Sequence, residues 1–176
     1  QLEKSEIKIV GLEQDPRFYL GVDVDGENVR VKIYGRYDRI DMKDGILRIV
    51  DYKTGKEKKV PGNVEELFVH GKSDRNTHVF QTFYYAMLAS GHKSLRECRL
   101  APVLLYVRNT SKPKADVLYM KMGNKPVQDF STDQLPTFRE KLMELIRELF
   151  DPEVPFAMTA DKKSCEQCAY RTLCKG

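Results

Sequence analysis

The sequence predicts one α/β domain, a meander of strands feeding into helices. Three observations carry that prediction. Up to Lys53 the chain is rich in Ile, Val and Tyr, with partial two-residue alternation broken by hairpin dipeptides. From Ser73 the apolar spacing switches to a helical period. A chain of 176 residues, 41% apolar and 32% charged, suits one globular domain rather than two or a disordered segment.

The elements follow in order. Strands are expected at Glu6–Glu13, Phe18–Val24 and Val29–Asp41, the last with Val29, Val31 and Ile33 alternating against Arg30, Lys32 and Tyr34. Asp25-Gly26 and Asp44-Gly45 are hairpin turns, and a further strand runs Ile46–Lys53. Thr54-Gly55 opens a basic stretch (Lys56, Lys58, Lys59) that Pro61-Gly62 closes. Val79, Phe80, Phe83, Tyr84, Met87 and Leu88 form the apolar face of a helix, with Ser73 or Asp74 as its cap and Gly91 at its end. Leu100–Arg108 reads as a buried strand with Pro102 near its start, and Asp116–Met122 as the next one. Ser131 with Gln134 forms a capping box before a long helix with the stripe Phe138, Leu142, Leu145, Ile146 and Leu149, which stops before Pro152. From Pro155 the chain is a short loop-like tail. With no repeat or linker in sight, residues 1–176 form one domain, and 155–176 its cysteine-bearing tail.

Composition excludes several classes. Thirty Lys+Arg against 26 Asp+Glu leave +4, which permits an anionic partner without requiring one. No apolar run approaches the roughly 18 residues of a membrane span, and no signal-peptide pattern opens the chain. The first residue is Gln1 and not Met, so a fragment of a longer protein is expected. Three of the four Cys crowd into Cys165–Cys174, which favours metal ligation in a cytoplasmic protein over a secreted disulfide framework.

The sharpest local signal is the hairpin around Asp44-Gly45. A two-residue loop pairs Lys43 with Ile46, so the numbers of paired residues sum to 89 and Asp38 falls opposite Asp51. Directly opposed residues share a face, with Cβ atoms about 4.5–5.5 Å apart. Lys53 lies two residues beyond Asp51 on that face, opposite Arg36, while Ile40, Ile49, Met42 and Leu47 make the rest of it apolar. Two opposed carboxylates need compensation. A divalent cation such as Mg²⁺, held by both, supplies it and can polarise a phosphoryl group. The alternative is an exposed hairpin whose acids Arg36 and Lys53 balance in water.

Gly35-x-x-Asp38 followed by Asp51-Tyr52-Lys53-Thr54 resembles the nuclease domain of RecB- and AddB-type exonucleases in the PD-(D/E)XK superfamily, as does Gln81-x-x-x-Tyr85 behind them. The resemblance runs from about Val29 to Gly176. It implies a restriction-endonuclease-like mixed β-sheet flanked by helices and metal-dependent hydrolysis of DNA phosphodiesters. By the resemblance, Asp38, Asp51 and the Tyr52 carbonyl hold Mg²⁺ or Mn²⁺. Lys53 orients the attacking water, and Gln81 and Tyr85 position DNA or Lys53. It also implies a further His or Glu ligand from an upstream helix. Only 37 residues precede Asp38 and they read as strands, so that ligand is expected outside this chain, with Glu13 a remote substitute. The module commonly ends a helicase-nuclease of recombinational repair, which makes a helicase domain or subunit the expected partner.

Cys165-x-x-Cys168-x5-Cys174 resembles the cysteine trio of AddB-like nucleases, whose 4Fe-4S cluster takes its fourth thiolate from before the nuclease core. A cluster or zinc site completed from outside the chain, a three-ligand site, and free thiols all stay open, with Cys98 a distant fourth candidate. Arg36, Lys56 and Lys58 are candidate phosphate contacts beside the acids, and no base-reading motif appears. Two rival functions remain: a DNA-binding scaffold of the same fold without cleavage, and an interaction module organised by a cysteine-bound metal.

Overall fold

Two tight turns organise the first half of the chain. Asp25 and Gly26 have φ of 52° and 82°, and Asp44 and Gly45 have 51° and 75°. Successive positive φ angles make type I′ turns, whose twist matches that of the strands they join. The computed structural model describes residues 6–69, 76–92, 95, 98–109, 119–157, 159, 161–166 and 168–174. Five strands come first: β1 (Ile7–Gln14), β2 (Arg17–Val24), β3 (Glu27–Tyr34), β4 (Tyr37–Lys43) and β5 (Ile46–Lys53). The expected single strand Val29–Asp41 is thus two. β3 pairs only with β2 in a separate ribbon, whereas β4 enters the main sheet between β1 and β5. The chain bends at Gly35-Arg36, and both arms are extended, which is why alternation alone does not reveal the break.

The main sheet has the order β1-β4-β5-β6, with β6 spanning Arg99–Tyr106. Its first two pairings are antiparallel and β5–β6 is parallel. A parallel neighbour requires a crossover, and helix α1 (Thr77–Ser90) lies within it. The result is a mixed sheet flanked by helices, of restriction-endonuclease-like class. Pro102 sits in an edge strand, where its missing N–H costs no ladder bond. The strand ends at Tyr106, short of the expected Arg108, because Val107–Asn109 tightens into a 3₁₀ turn.

Asn76 caps α1, its side chain accepting the Val79 N–H at 3.1 Å. The expected caps Ser73 and Asp74 lie outside the described residues. Of the expected strand Asp116–Met122, residues 116–118 also lie outside them, and only β7 (Lys121–Met122) pairs, with β8 (Lys125–Pro126). The expected capping box is absent. Asp129 caps a short helix α2 (Phe130–Asp133) that contains Ser131, and α3 (Leu135–Phe150) restarts with a proline in its first turn, where no N–H is needed. The tail also differs from expectation, since Lys162–Glu166 forms a helical turn, α4, that carries Cys165.

The core lies between the sheet and α1–α3. Ile40, Leu47, Ile49 and Leu100 come from the sheet, Leu20, Val22 and Ile33 from the β2–β3 ribbon, and Phe83, Phe130 and Phe138 from the helices. Phe83 and Phe130 meet edge to face at 4.8 Å between centroids, an arrangement that matches the ring quadrupoles. The α3 stripe is buried at Phe138, Leu142 and Ile146, but Leu149 is exposed.

The opposite side of the same hairpin buries charge. Asp41 and Arg48 are both nearly inaccessible and form a bidentate pair at 2.6 and 3.0 Å. Arg39 approaches the second Asp41 oxygen obliquely at 2.9 Å, an ion contact without a well-directed hydrogen bond. Removing one partner of a buried pair strands the other's charge. Asp41→Ala is therefore expected to lose about 3–5 kcal/mol, read as a lower urea midpoint at unchanged slope.

Candidate active site

The β4–β5 register is the one the turn dictates, with Lys43↔Ile46, Met42↔Leu47, Asp41↔Arg48, Ile40↔Ile49 and Arg39↔Val50. The ladder stops there. Asp38, next along β4, replaces a backbone partner with its side chain, and its Oδ2 accepts the Tyr52 N–H at 2.8 Å. That bond anchors the carboxylate beside β5. Asp51, only 3% exposed, lies on the helix-facing side with Ile49 and Leu47.

Lys53 ties the strand to α1. Its Nζ lies 2.7 Å from Asp51 Oδ2 and donates to Gln81 Oε1 at 2.7 Å. An ammonium only donates, so the Gln81 oxygen must face it and the amide nitrogen must point away. That nitrogen donates to the Tyr85 hydroxyl at 2.8 Å, one helical turn further on. The Tyr85 ring packs edge to face on Tyr37 at 5.9 Å. A Cβ on Gly35 would stand 2.7 Å from Tyr85 Cε1, so glycine at the bend is a condition for this packing. Burial pushes the Tyr37 phenol up, and its hydroxyl has no hydrogen-bond partner among the described residues.

Burial pushes the Asp51 carboxyl up, the Lys53 ammonium pulls it down, and the Asp38 carboxylate adds a further upward push. The net direction is up, so the two acids sense each other and ionised Asp51 is under-compensated. Its Oδ2 is buried with no well-directed donor, because the Lys53 contact is ionic rather than a good hydrogen bond. A carboxylate pair of this kind fits a hard divalent cation, which prefers oxygen ligands and favours the ionised form. Among the described residues no group of three His, Cys, Asp or Glu side chains could hold a metal, so at this site the described side chains offer the two carboxylates of Asp38 and Asp51.

The remaining candidates are scattered. Arg36 lies before β4, and its guanidinium is paired bidentately with exposed Asp15 at 2.8 and 3.0 Å, not set opposite Lys53. The bend at Gly35-Arg36 takes it out of the ladder. Lys56 is exposed, and Lys58 Nζ donates to Thr77 Oγ1 at 2.9 Å. The Tyr52 side chain is half exposed, with the Arg39 guanidinium 5.4 Å from its ring centroid. Glu13 falls level with Asp38 between the pairs Leu12↔Arg39 and Gln14↔Tyr37, yet it is exposed and its charge acts on Arg36. Cys165 is half-buried, and Cys168 and Cys174 are exposed. Cys98 packs against the core. The three tail thiols therefore do not form a metal group as they stand. Two residues not singled out from the sequence border the cluster. His78 lies one turn before Gln81, a signal in plain view, whereas Tyr106 pairs with Lys53 in the parallel β5–β6 register, which has no local signature.

The profile of the PD-(D/E)XK nuclease superfamily matches residues 1–175. No curated protein and no solved structure matches significantly.

The raised Asp51 pKa gives a sign for stability. The folded chain holds the Asp51 proton more tightly than the unfolded chain, so metal-free stability falls as pH rises from the ordinary carboxylate value through the raised one. Asp51→Asn is therefore expected to melt higher than wild type at neutral pH without metal. Mg²⁺ should raise the melting temperature of wild type and leave that of the variant unmoved. Calorimetry with and without metal checks both.

Proposed function

The chain belongs to the PD-(D/E)XK nuclease superfamily, and from that premise we propose that it hydrolyses DNA phosphodiesters at the Asp38–Asp51–Lys53 cluster with the help of Mg²⁺ or Mn²⁺. The observation that carries this reading is the Asp51–Lys53–Gln81–Tyr85 chain of contacts, which converges on two electrostatically coupled carboxylates.

Asp38 and Asp51, with the Tyr52 carbonyl, would hold the ion, which supplies a Lewis acid for the phosphoryl oxygens and lowers the pKa of a bound water. The protein groups do the positioning. Lys53 has three N–H donors; one goes to Gln81 and one faces Asp51, leaving the third for a non-bridging phosphate oxygen as negative charge builds there. Tyr85 accepts from Gln81 and keeps its own hydroxyl proton to donate to the substrate. Gln81 keeps the ammonium from swinging away. Exposed Lys56 adds sequence-independent attraction for the strand.

In this reading the chain is the nuclease module of a larger helicase-nuclease or exonuclease in recombinational repair and works in the cytoplasm. No described helix is long and apolar enough to cross a membrane. The tail cysteines, which do not form a metal group as they stand, would make a separate structural site only by drawing together. As three thiolates they are one short of the set that zinc or a cubane cluster takes, so an outside ligand would complete it. One observation favours the second reading, a DNA-binding scaffold that does not cut. The described side chains bring two metal ligands and not three.

Incubation of linear and circular DNA with Mg²⁺ or Mn²⁺ separates the readings. The nuclease is expected to degrade DNA, Asp51→Ala to abolish degradation, and Lys53→Met to slow it by about 10²–10³-fold. All three chains should still bind DNA. Degradation that survives Asp51→Ala would sink the nuclease assignment at this site.

A further inference from the structure

A second polar cluster adjoins Lys53 on the β6 side. His78 Nδ1 lies 3.0 Å from the Tyr106 hydroxyl, and the two rings are tilted at 47° with centroids 5.8 Å apart. Tyr106 is the register partner of Lys53. The loop after β5 folds back onto the same place: Lys58 Nζ donates to Thr77 Oγ1 at 2.9 Å, and Asn76 Nδ2 donates to the Lys59 carbonyl at 2.8 Å.

The contact with Tyr106 sets the histidine tautomer. A phenol is a stronger acid than a neutral imidazole N–H, so across the 3.0 Å contact the Tyr106 hydroxyl donates to His78 Nδ1. Nδ1 is then an acceptor, and the ring proton sits on Nε2. Burial, then the charges of Lys58 and Lys53, hold His78 below its ordinary pKa, so the ring is neutral at neutral pH. Among the described residues no group takes the Nε2 proton. The outcome is an oriented, neutral N–H donor, half-buried, one helical turn from Gln81 and flanked by two ammonium groups.

We propose that His78 Nε2–H, with the Lys58 ammonium beside it, binds a second, non-scissile phosphodiester of the DNA strand next to the one held at Lys53. The surroundings favour an anion, because the charges that act on His78 are those of Lys58 and Lys53, while Glu57 and Asp51 act on its partner Tyr106. One helical turn along α1 is a step comparable to the spacing of successive phosphates. Tyr106 acts as a positioning residue that sets which imidazole nitrogen donates. The inference rests on the nuclease reading of the neighbouring cluster and adds to it where the adjacent nucleotide lies.

Binding of a fluorescent DNA oligonucleotide, measured over a range of salt with Ca²⁺ in place of the cleavage metal, tests it. His78→Ala is expected to weaken binding about 10- to 150-fold, as for one lost hydrogen bond to a charged group. Because a neutral donor displaces no counterion, its salt slope should match wild type, whereas Lys58→Met should lower the slope by about one. His78→Gln, whose amide nitrogen can stand where Nε2 stood, should restore affinity, and Tyr106→Phe should weaken it. Wild-type affinity in His78→Ala, or a His78→Gln as weak as the alanine variant at an unchanged melting temperature, overturns the proposal. Wild type that binds DNA but never cuts it with Mg²⁺ or Mn²⁺ overturns the nuclease reading alone, and wild type that does not bind DNA overturns both.

Discussion

The two-residue turn at Asp44-Gly45 is the constraint on which the rest of the structure depends. Positive φ at both positions locks a type I′ hairpin, and a hairpin register cannot slip by one residue without turning every side chain to the wrong face. One register therefore settles two charge problems at once. On the helix-facing side it sets Asp38 beside Asp51 above Ile40, Ile49 and Leu47. On the other side it joins Asp41 to Arg48 in a buried bidentate pair.

The two faces handle buried charge differently. Asp41 is fully satisfied by guanidinium groups and has a structural character, since its charge is matched where it lies. Asp51 is matched only in part: Lys53 opposes it, but burial and Asp38 win, and one of its oxygens lacks a directed donor. An under-compensated carboxylate in a well-packed sheet is a departure from the rule that buried polar groups find partners. Such departures cluster at functional sites, although structural ion-pair networks produce them too.

Helix α1 converts that strained pair into an ordered site. Its buried stripe of Val79, Phe83, Ala86 and Met87 anchors it on the core, which leaves Gln81 and Tyr85 on the flank facing Lys53. The same flank, one turn earlier, carries His78 against Tyr106. The bend at Gly35 belongs to this arrangement as well, because only a residue without Cβ lets the Tyr85 ring lie against it.

Much of this was legible in the linear chain. Asx-Gly dipeptides between β-branched runs define hairpins by local backbone geometry, so the β4–β5 register and the shared face of Asp51 and Lys53 follow from arithmetic. The i, i+4 spacing of Gln81 and Tyr85 places them on one helix face by the same local logic. The Asp41–Arg48 pair obeys that same sum, although nothing local says that this face is buried. What only the tertiary structure decided is what depends on distant packing. The division of Val29–Asp41 into two strands, the capture of Arg36 by Asp15 and the parallel pairing of β5 with β6 are examples. The others are the cap at Asn76 and the meeting of His78 with Tyr106. Local propensity acts over a few residues, whereas each of these is settled by which surfaces meet once the core has closed.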